Sequence, residues 1–313
     1  MIGFTSEIEI ANKLNSVVII KALEAAFMDI ALSKAVQPPQ FSVIIPNDGG
    51  DTILYSAAMV EKRLFGVTVS PYLISRLNAG LHPVTAFTLL ISTETGLPVL
   101  LCDSKLLIAA RTGATSVIAM QQIAKKSTNI AIIGSGKIAE WHLRCLAHVV
   151  DCERISMHSP QIFLPTMHEK RNNLLSIDRR LEFHNSIDKA VMDADVIMLC
   201  TSSCLPVLDI SVLASNVLIT SIGTDGLLAH EIPPAELLDM DVFCDYRNTT
   251  PLIAGEMIIA TRDFGWKASQ IVADLPELVS GQFVIDRSEQ KKRRFFRSVG
   301  LGIEDLAAAS TIL

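Results

Sequence analysis

The stretch Asn129–Glu140, NIAIIGSGKIAE, constrains this chain more than any other. Ile130, Ala131, Ile132 and Ile133 form a short apolar run, the pattern of a strand buried on both faces of a parallel sheet. Gly134-Ser135-Gly136-Lys137-Ile138-Ala139 follows at once, a GxGxxA with helix-forming residues beyond it. Gly134 permits a tight turn, Gly136 lets the backbone approach a pyrophosphate, and Ala139 lets the helix pack closely on the sheet. The phosphates would then rest on the free N–H groups of the helix N-terminus. A plain strand–turn–helix that needs only close packing is the rival reading. The strand before and the helix after favour a dinucleotide.

Bulk properties bound the rest. The chain has 313 residues, half of them apolar and 19% charged, which is enough to fill two domain cores. Net charge is −6 with both signs mixed, and aromatics are few, so neither a basic face nor a base-stacking platform points to nucleic acid. The six cysteines share no metal-like spacing, and buried free thiols in a reducing compartment are the ordinary reading. No metal is expected. The N-terminus MIGFTSEIEI lacks a basic n-region, and no segment has the length of a membrane span. The expectation is a soluble cytoplasmic protein with no membrane partner.

In chain order, residues 7–33 read as helical, with the main helix over Ser16–Lys34 and Pro38-Pro39 closing it. Strand-like pieces follow at Phe41–Ile45, Thr52–Ser56, Phe65–Val69, Thr85–Ser92 and Val99–Cys102. The turn Thr93–Pro98 pairs the last two as a hairpin. The result is an antiparallel-leaning sheet. Ser104–Lys125 reads as one helix or two in succession, with Arg111 in an otherwise apolar stretch. A buried guanidinium needs a partner. Either a structural salt bridge or a snorkelling side chain supplies it, or the arginine holds a carboxylate or phosphate of a ligand.

From Asn129 the pattern turns to βα repeats. Helix Ala139–Ala147 carries Trp141 and His142, read as structural with His148 nearby. The second strand, Arg154–Met157, ends in His158-Ser159-Pro160-Gln161, where a ribose-binding carboxylate would be expected and none is present. Ser159, helped by Lys170 and Arg171, suits a 2′-phosphate, so NADP is favoured over NAD. Leu181–Phe183, Val196–Cys200, Val217–Ser221 and Asp241–Cys244 are further strands, and Ser186–Ala194 is a short helix. Thr201-Ser202-Ser203 is either a small-residue approach to a cofactor or a turn. Residues 268–280 read as helix, the basic run Lys291–Arg294 as a solvated face, and the last helix as starting near Glu304.

Four stretches resemble the ornithine cyclodeaminase/mu-crystallin family. They are Glu94–Pro98 through Asp103 into Ala110-Arg111-Thr112-Gly113-Ala114-Thr115-Ser116; Ile132–Gly136; Ser221-Ile222-Gly223-Thr224-Asp225 with Glu231; and Phe296–Ala309. The resemblance implies an α/β fold. A Rossmann-type NAD(P)-binding domain spans 120–295, and an α+β substrate and dimerisation domain is built from 1–119 with 296–313. It implies a homodimer, a small amino-acid-like substrate, and NADP or NAD as cofactor. Arg111 matches the arginine that holds a substrate carboxylate, and Asp225 the aspartate that handles protons at the reacting nitrogen. The glycine loop (Gly134, Ser135, Gly136, Lys137, Ile138) matches the pyrophosphate site, and Thr112, His158, Ser159, Thr201, Ser202 and Gly223 complete the cofactor contacts.

Two positions depart from the family pattern. Thr68 stands where a lysine is usual, and Gln40 where an arginine is usual; Lys62 and His82 are the candidates to replace the lysine. The expected function is an NAD(P)H-dependent oxidoreductase acting on a C–N centre. The rivals are a cyclodeaminase-type lyase with recycled NAD and a non-catalytic NADP(H) binder.

Overall fold

The computed structural model describes residues 3–47, 49–223, 228–286 and 292–313. β1 (Phe4–Thr5) leads into α1 (Glu7–Lys13) and α2 (Ser16–Ala31). The 7–33 stretch thus holds two helices, because Asn15 caps α2 by accepting from the Val17 and Val18 N–H groups. β2 (Ala35–Val36), β3 (Phe41–Ile45), β4 (Gly50–Met59), β5 (Leu64–Leu73), α3 (Ile74–Asn78), β6 (Phe87–Ser92) and β7 (Pro98–Asp103) follow. β6 and β7 pair antiparallel as the expected hairpin. The sheet order is β1-β7-β6-β5-β4-β2, with β3 also on β4.

A single helix, α4 (Lys105–Ile123), comes next. Then come β8 (Asn129–Ile133), α5 (Lys137–Leu146), β9 (Arg154–His158), α6 (His168–Ile177), β10 (Leu181–Phe183), α7 (Ile187–Val191), β11 (Val196–Leu199) and β12 (Leu218–Ser221). β13 (Asp241–Cys244), α8 (Gly255–Asp263), β14 (Ile271–Asp274), α9 (Leu275–Val279), β15 (Arg294–Arg297) and α10 (Gly302–Ser310) complete the chain. The order β10-β9-β8-β11-β12-β15-β13-β14 is parallel at every pairing. Its first five strands follow the dinucleotide-binding pattern, with the order reversing between β8 and β11.

The chain divides into two compact units, Met1–Arg111 with Leu301–Leu313, and Thr112–Gly300. The sequence boundaries, 119/120 and 295/296, differ from these. The break falls inside α4 at one end. At the other, β15 stays with the parallel sheet because it pairs with both β12 and β13. In the first unit α10 packs on β4, β5, β6 and α2. Gly302 sits so close to β4 that a Cβ there would fall 2.4 Å from the Ser56 carbonyl oxygen. In the second, apolar strands form a core between helices, with Ile133, Ile197, Leu199, Ile219, Val242 and Phe295 buried.

Four expectations are corrected. Residues 268–280 are not one helix: Ile271–Asp274 is a strand paired with β13, and α9 starts only after Asp274 caps it. Arg294 is not on a solvated face, because it lies inside β15, 3% exposed, and donates to the Ile123 carbonyl at 2.6 Å. α10 begins at Gly302 rather than near Glu304. Five cysteines are buried, but Cys204 is exposed.

Candidate active site

The glycine loop has the geometry its sequence implies. Gly134 adopts φ +127°, and a Cβ there would fall 2.3 Å from the Cys200 carbonyl oxygen on the neighbouring strand. Only glycine fits. Gly136, by contrast, has nothing within 4 Å of the place its Cβ would occupy. It precedes α5, whose first turn receives no side-chain cap from it. Open space thus lies before an uncapped helix N-terminus at the point where strand order reverses, the arrangement that receives a pyrophosphate. These residues fit a dinucleotide. Ser135 is buried, Lys137 is exposed and paired to Glu140 at 3.2 Å, and Ile138 is half-buried. His142 Nδ1 donates to the Ile138 carbonyl oxygen (2.8 Å), and burial pushes its imidazole down to about 4, a structural residue as read.

At the end of β9, His158 Nδ1 lies 3.0 Å from the His184 carbonyl oxygen, and the His158 carbonyl accepts from the Gly134 N–H at 2.8 Å. The strand end therefore braces the glycine turn. Ser159 is half-buried. Arg171 bonds the Ile162 and Leu164 carbonyls and so shapes the loop after β9. Lys170 is pushed down by burial, with Glu140 opposing and Lys137 adding to the effect. Its ammonium therefore lies within electrostatic range of the glycine-loop lysine.

The strand ends next to the loop are tied by a residue whose role the sequence did not reveal. Glu231 is fully buried. Its Oε1 accepts from the Thr201 N–H (2.9 Å) and hydroxyl (2.7 Å). Its Oε2 accepts from the Ser221 hydroxyl (2.8 Å) and from the N–H groups of Ile222 (3.2 Å) and Gly223 (3.1 Å). Arg297 on β15 holds the other side of the Gly223 peptide through its carbonyl (2.5 Å), donates to the Ser221 hydroxyl (3.1 Å), and pairs with Glu256 at 2.9 Å. Burial pushes the Glu256 carboxyl up, against the pull of Arg297. Ser202 is exposed beside this knot. Asp225 lies outside the described residues.

In the first unit Arg111 is 5% exposed. Its Nε donates to Asp305 Oδ1 at 2.8 Å and its Nη1 to Glu304 Oε2 at 3.1 Å, both on α10. Burial alone would lower its pKa, but the two carboxylates override this and hold it charged. Burial pushes Asp305 up, against Arg111 and the Thr68 hydroxyl. Thr68 is itself buried and bonded to Thr88 at 2.7 Å. Thr68 thus belongs to the Arg111 cluster. Thr112, next in α4, is buried.

Lys62 does not join them. It bonds Ser310 at the far end of α10 (2.8 Å), about 8 Å along the helix from Asp305 at 1.5 Å per residue. His82 is exposed and closes its own loop through Val84 (3.2 Å). Gln40 is half-buried in the segment before β3, while its neighbour Gln37 accepts from the Ile303 N–H (2.8 Å) and so fixes the start of α10. No group of metal-ligating side chains occurs among the described residues, and no helix among them is long and apolar enough to cross a membrane.

The chain is 41% identical over 296 residues to the NAD(P)H-dependent anabolic L-arginine dehydrogenase DauB of Pseudomonas aeruginosa, covering 94% of this chain and 91% of that protein. It is 30% identical to an ornithine cyclodeaminase of Agrobacterium fabrum over 74% of this chain and 63% of the other. Its fold matches the Thermococcus litoralis Δ1-pyrroline-2-carboxylate reductase, solved with NADH and L-proline, with TM-score 0.89 and 23% identity over 99% and 96% of the two chains. The family model for ornithine cyclodeaminase/mu-crystallin matches residues 2–313. The chain belongs to the ornithine cyclodeaminase/mu-crystallin family.

Proposed function

We propose that this chain is an NAD(P)-dependent oxidoreductase that moves a hydride to or from the C–N centre of a small amino-acid-like substrate. The observation that carries the reading is the open cradle at Gly136, set at the reversal point of a parallel sheet in a member of this family. The bound cofactor supplies the hydride. The chain supplies its orientation through the α5 N-terminus and the β11 and β12 ends. Arg111, with its fork fixed by Glu304 and Asp305, is assigned to the substrate carboxylate through its remaining nitrogen. Asp225 is assigned the proton exchanged at the nitrogen, so that imine, hydride and proton give the amine.

The finer assignments rest on charge. Two carboxylates surround one guanidinium in the first unit, and Thr68 and Gln40 are neutral where the family pattern has cations. A substrate that brings its own positive charge suits that balance, and the 41%-identical relative is an L-arginine dehydrogenase. We therefore assign a 2-oxo acid with a basic side chain, together with ammonia, as the substrate pair. The absence of a carboxylate in His158-Ser159-Pro160-Gln161, with Lys170 within electrostatic range of Lys137, supports NADP(H). The outer face of the first-unit sheet, where Phe65, Phe87 and Val99 are 42%, 38% and 40% exposed, suits pairing with a second copy.

The test is an absorbance assay at 340 nm with NADPH and NADH, ammonia, and 2-oxo acids bearing guanidino, amino or short apolar side chains. Fastest cofactor oxidation with the guanidino acid is expected. No oxidation with any acid, and none in reverse with the amino acids, would leave only a cofactor-binding protein.

A further inference from the structure

We propose that Glu231 sets the balance between oxidised and reduced cofactor, a role that rests on the cofactor reading above. The structural basis is a buried carboxylate at a sheet edge with no cation paired to it among the described residues. Three backbone N–H groups and two hydroxyls, from Thr201, Ser221, Ile222 and Gly223, converge on its two oxygens. That is the donor set of an ionised carboxylate. Among the described residues Glu231 makes no ion pair. The nearby guanidinium, Arg297, is paired with Glu256 and reaches Glu231 only through the Ser221 hydroxyl, at 3.1 and then 2.8 Å. Among the described residues the group of Glu231, Glu256 and Arg297 thus holds two carboxylates and one arginine.

Its location gives this charge a consequence. The glycine loop leaves β8, and β11 then β12 come next in the sheet. A dinucleotide whose pyrophosphate lies on that loop extends its other half across the carboxyl ends of these strands. An oxidised nicotinamide ring is a cation and a reduced one is neutral, with nearly the same shape. A fixed carboxylate among those strand ends would favour the cation. The bonds to the Thr201 and Gly223 N–H groups hold it in place, so it need not reorganise when the ring changes charge. At an effective dielectric of about 20, one unit charge about 12 Å away is worth a factor of about ten in relative affinity.

The experiment is equilibrium titration of the full chain, without substrate, with the oxidised and reduced forms of whichever nicotinamide dinucleotide binds, followed by quenching of tryptophan fluorescence. Glu231→Gln keeps the shape and removes the charge. Its affinity for the oxidised form should fall about tenfold more than its affinity for the reduced form. Ser221→Ala removes the hydroxyl link to Arg297 and one donor. It should move the same ratio about threefold in the opposite direction, and it is mild enough to fold if Glu231→Gln does not. An unchanged ratio in either folded variant, or equal losses for both forms, would make Glu231 a structural tie and overturn the proposal. Failure of the unaltered protein to bind either form would instead remove the cofactor reading itself.

Discussion

Each unit buries an arginine beside two carboxylates, and the two arrangements do different work. In the first, Arg111 is clamped directly by Glu304 and Asp305, which arrive from a helix about 190 residues later in the chain. The guanidinium is the feature presented and the carboxylates are its support. In the second, Arg297 is the support: it braces the Gly223 peptide and the Ser221 hydroxyl, and the backbone of the strand ends is what is presented. One unit offers a side chain and the other offers main chain. Loss of a side chain should therefore act sharply in the first, whereas the second should be sensitive to backbone freedom and to space.

Five substitutions and one change of pH sharpen this contrast. The largest effect is expected for Arg111→Leu, which leaves two buried carboxylates without their cation and should destabilise the protein by about 3–5 kcal/mol in denaturant unfolding. Arg111→Lys, which keeps the charge but loses the fork, should fold and show a raised KM for the 2-oxo acid with cofactor affinity unchanged. The second unit has its own pH signature. Buried His142 has a pKa of about 4, against 6.5 when free, so the unfolded chain takes up its proton first as the pH falls. Stability is fully present above pH 6.5 and declines toward pH 4, by about 3 kcal/mol from this group. His142→Gln should flatten that slope.

Asp225→Asn should lower turnover by roughly 10²-fold while cofactor titrations stay unchanged. A near-normal rate would remove Asp225 from proton transfer. The smallest change is assigned to Lys170→Ala, which should reduce the preference for NADPH over NADH by about fivefold, as fits one half-exposed charge. An unaltered preference would move the 2′-phosphate contact elsewhere.

The contrast also explains what could be read from the sequence. The cofactor half is written contiguously: an apolar strand, GxGxxA and a helix start lie within Asn129–Glu140, and both the strand and the Gly134 geometry follow from that local pattern. The β6–β7 hairpin was equally local, fixed by Thr93–Pro98. Long-range supports were not legible. Glu231 stood in a recognised stretch, but nothing in its spacing shows that one carboxylate collects Thr201 and Gly223 from two strands. Arg294 read as part of a solvated basic face, because burial in β15 depends on β12 and β13 flanking it. Ile271–Asp274 was misread for a related reason: short, and followed at once by α9, it shows its strand character only through pairing with β13. Lys62 and Thr68 lie on one hairpin, yet α10 separates them, bonding one at Ser310 and carrying Asp305 beside the other.

The central claim, that a dinucleotide lies over the Gly136 turn, is tested most directly by titrating the unaltered protein and Gly136→Val with NADPH and NADH. A valine side chain there meets no protein atom at its Cβ, so the variant should unfold at the same denaturant concentration as the parent. It should fill the space before α5 and weaken nucleotide binding by roughly 10²-fold or more, the loss of contacts to a doubly charged pyrophosphate. Equal affinity in the two proteins, or no binding of either nucleotide to the parent, would contradict the account.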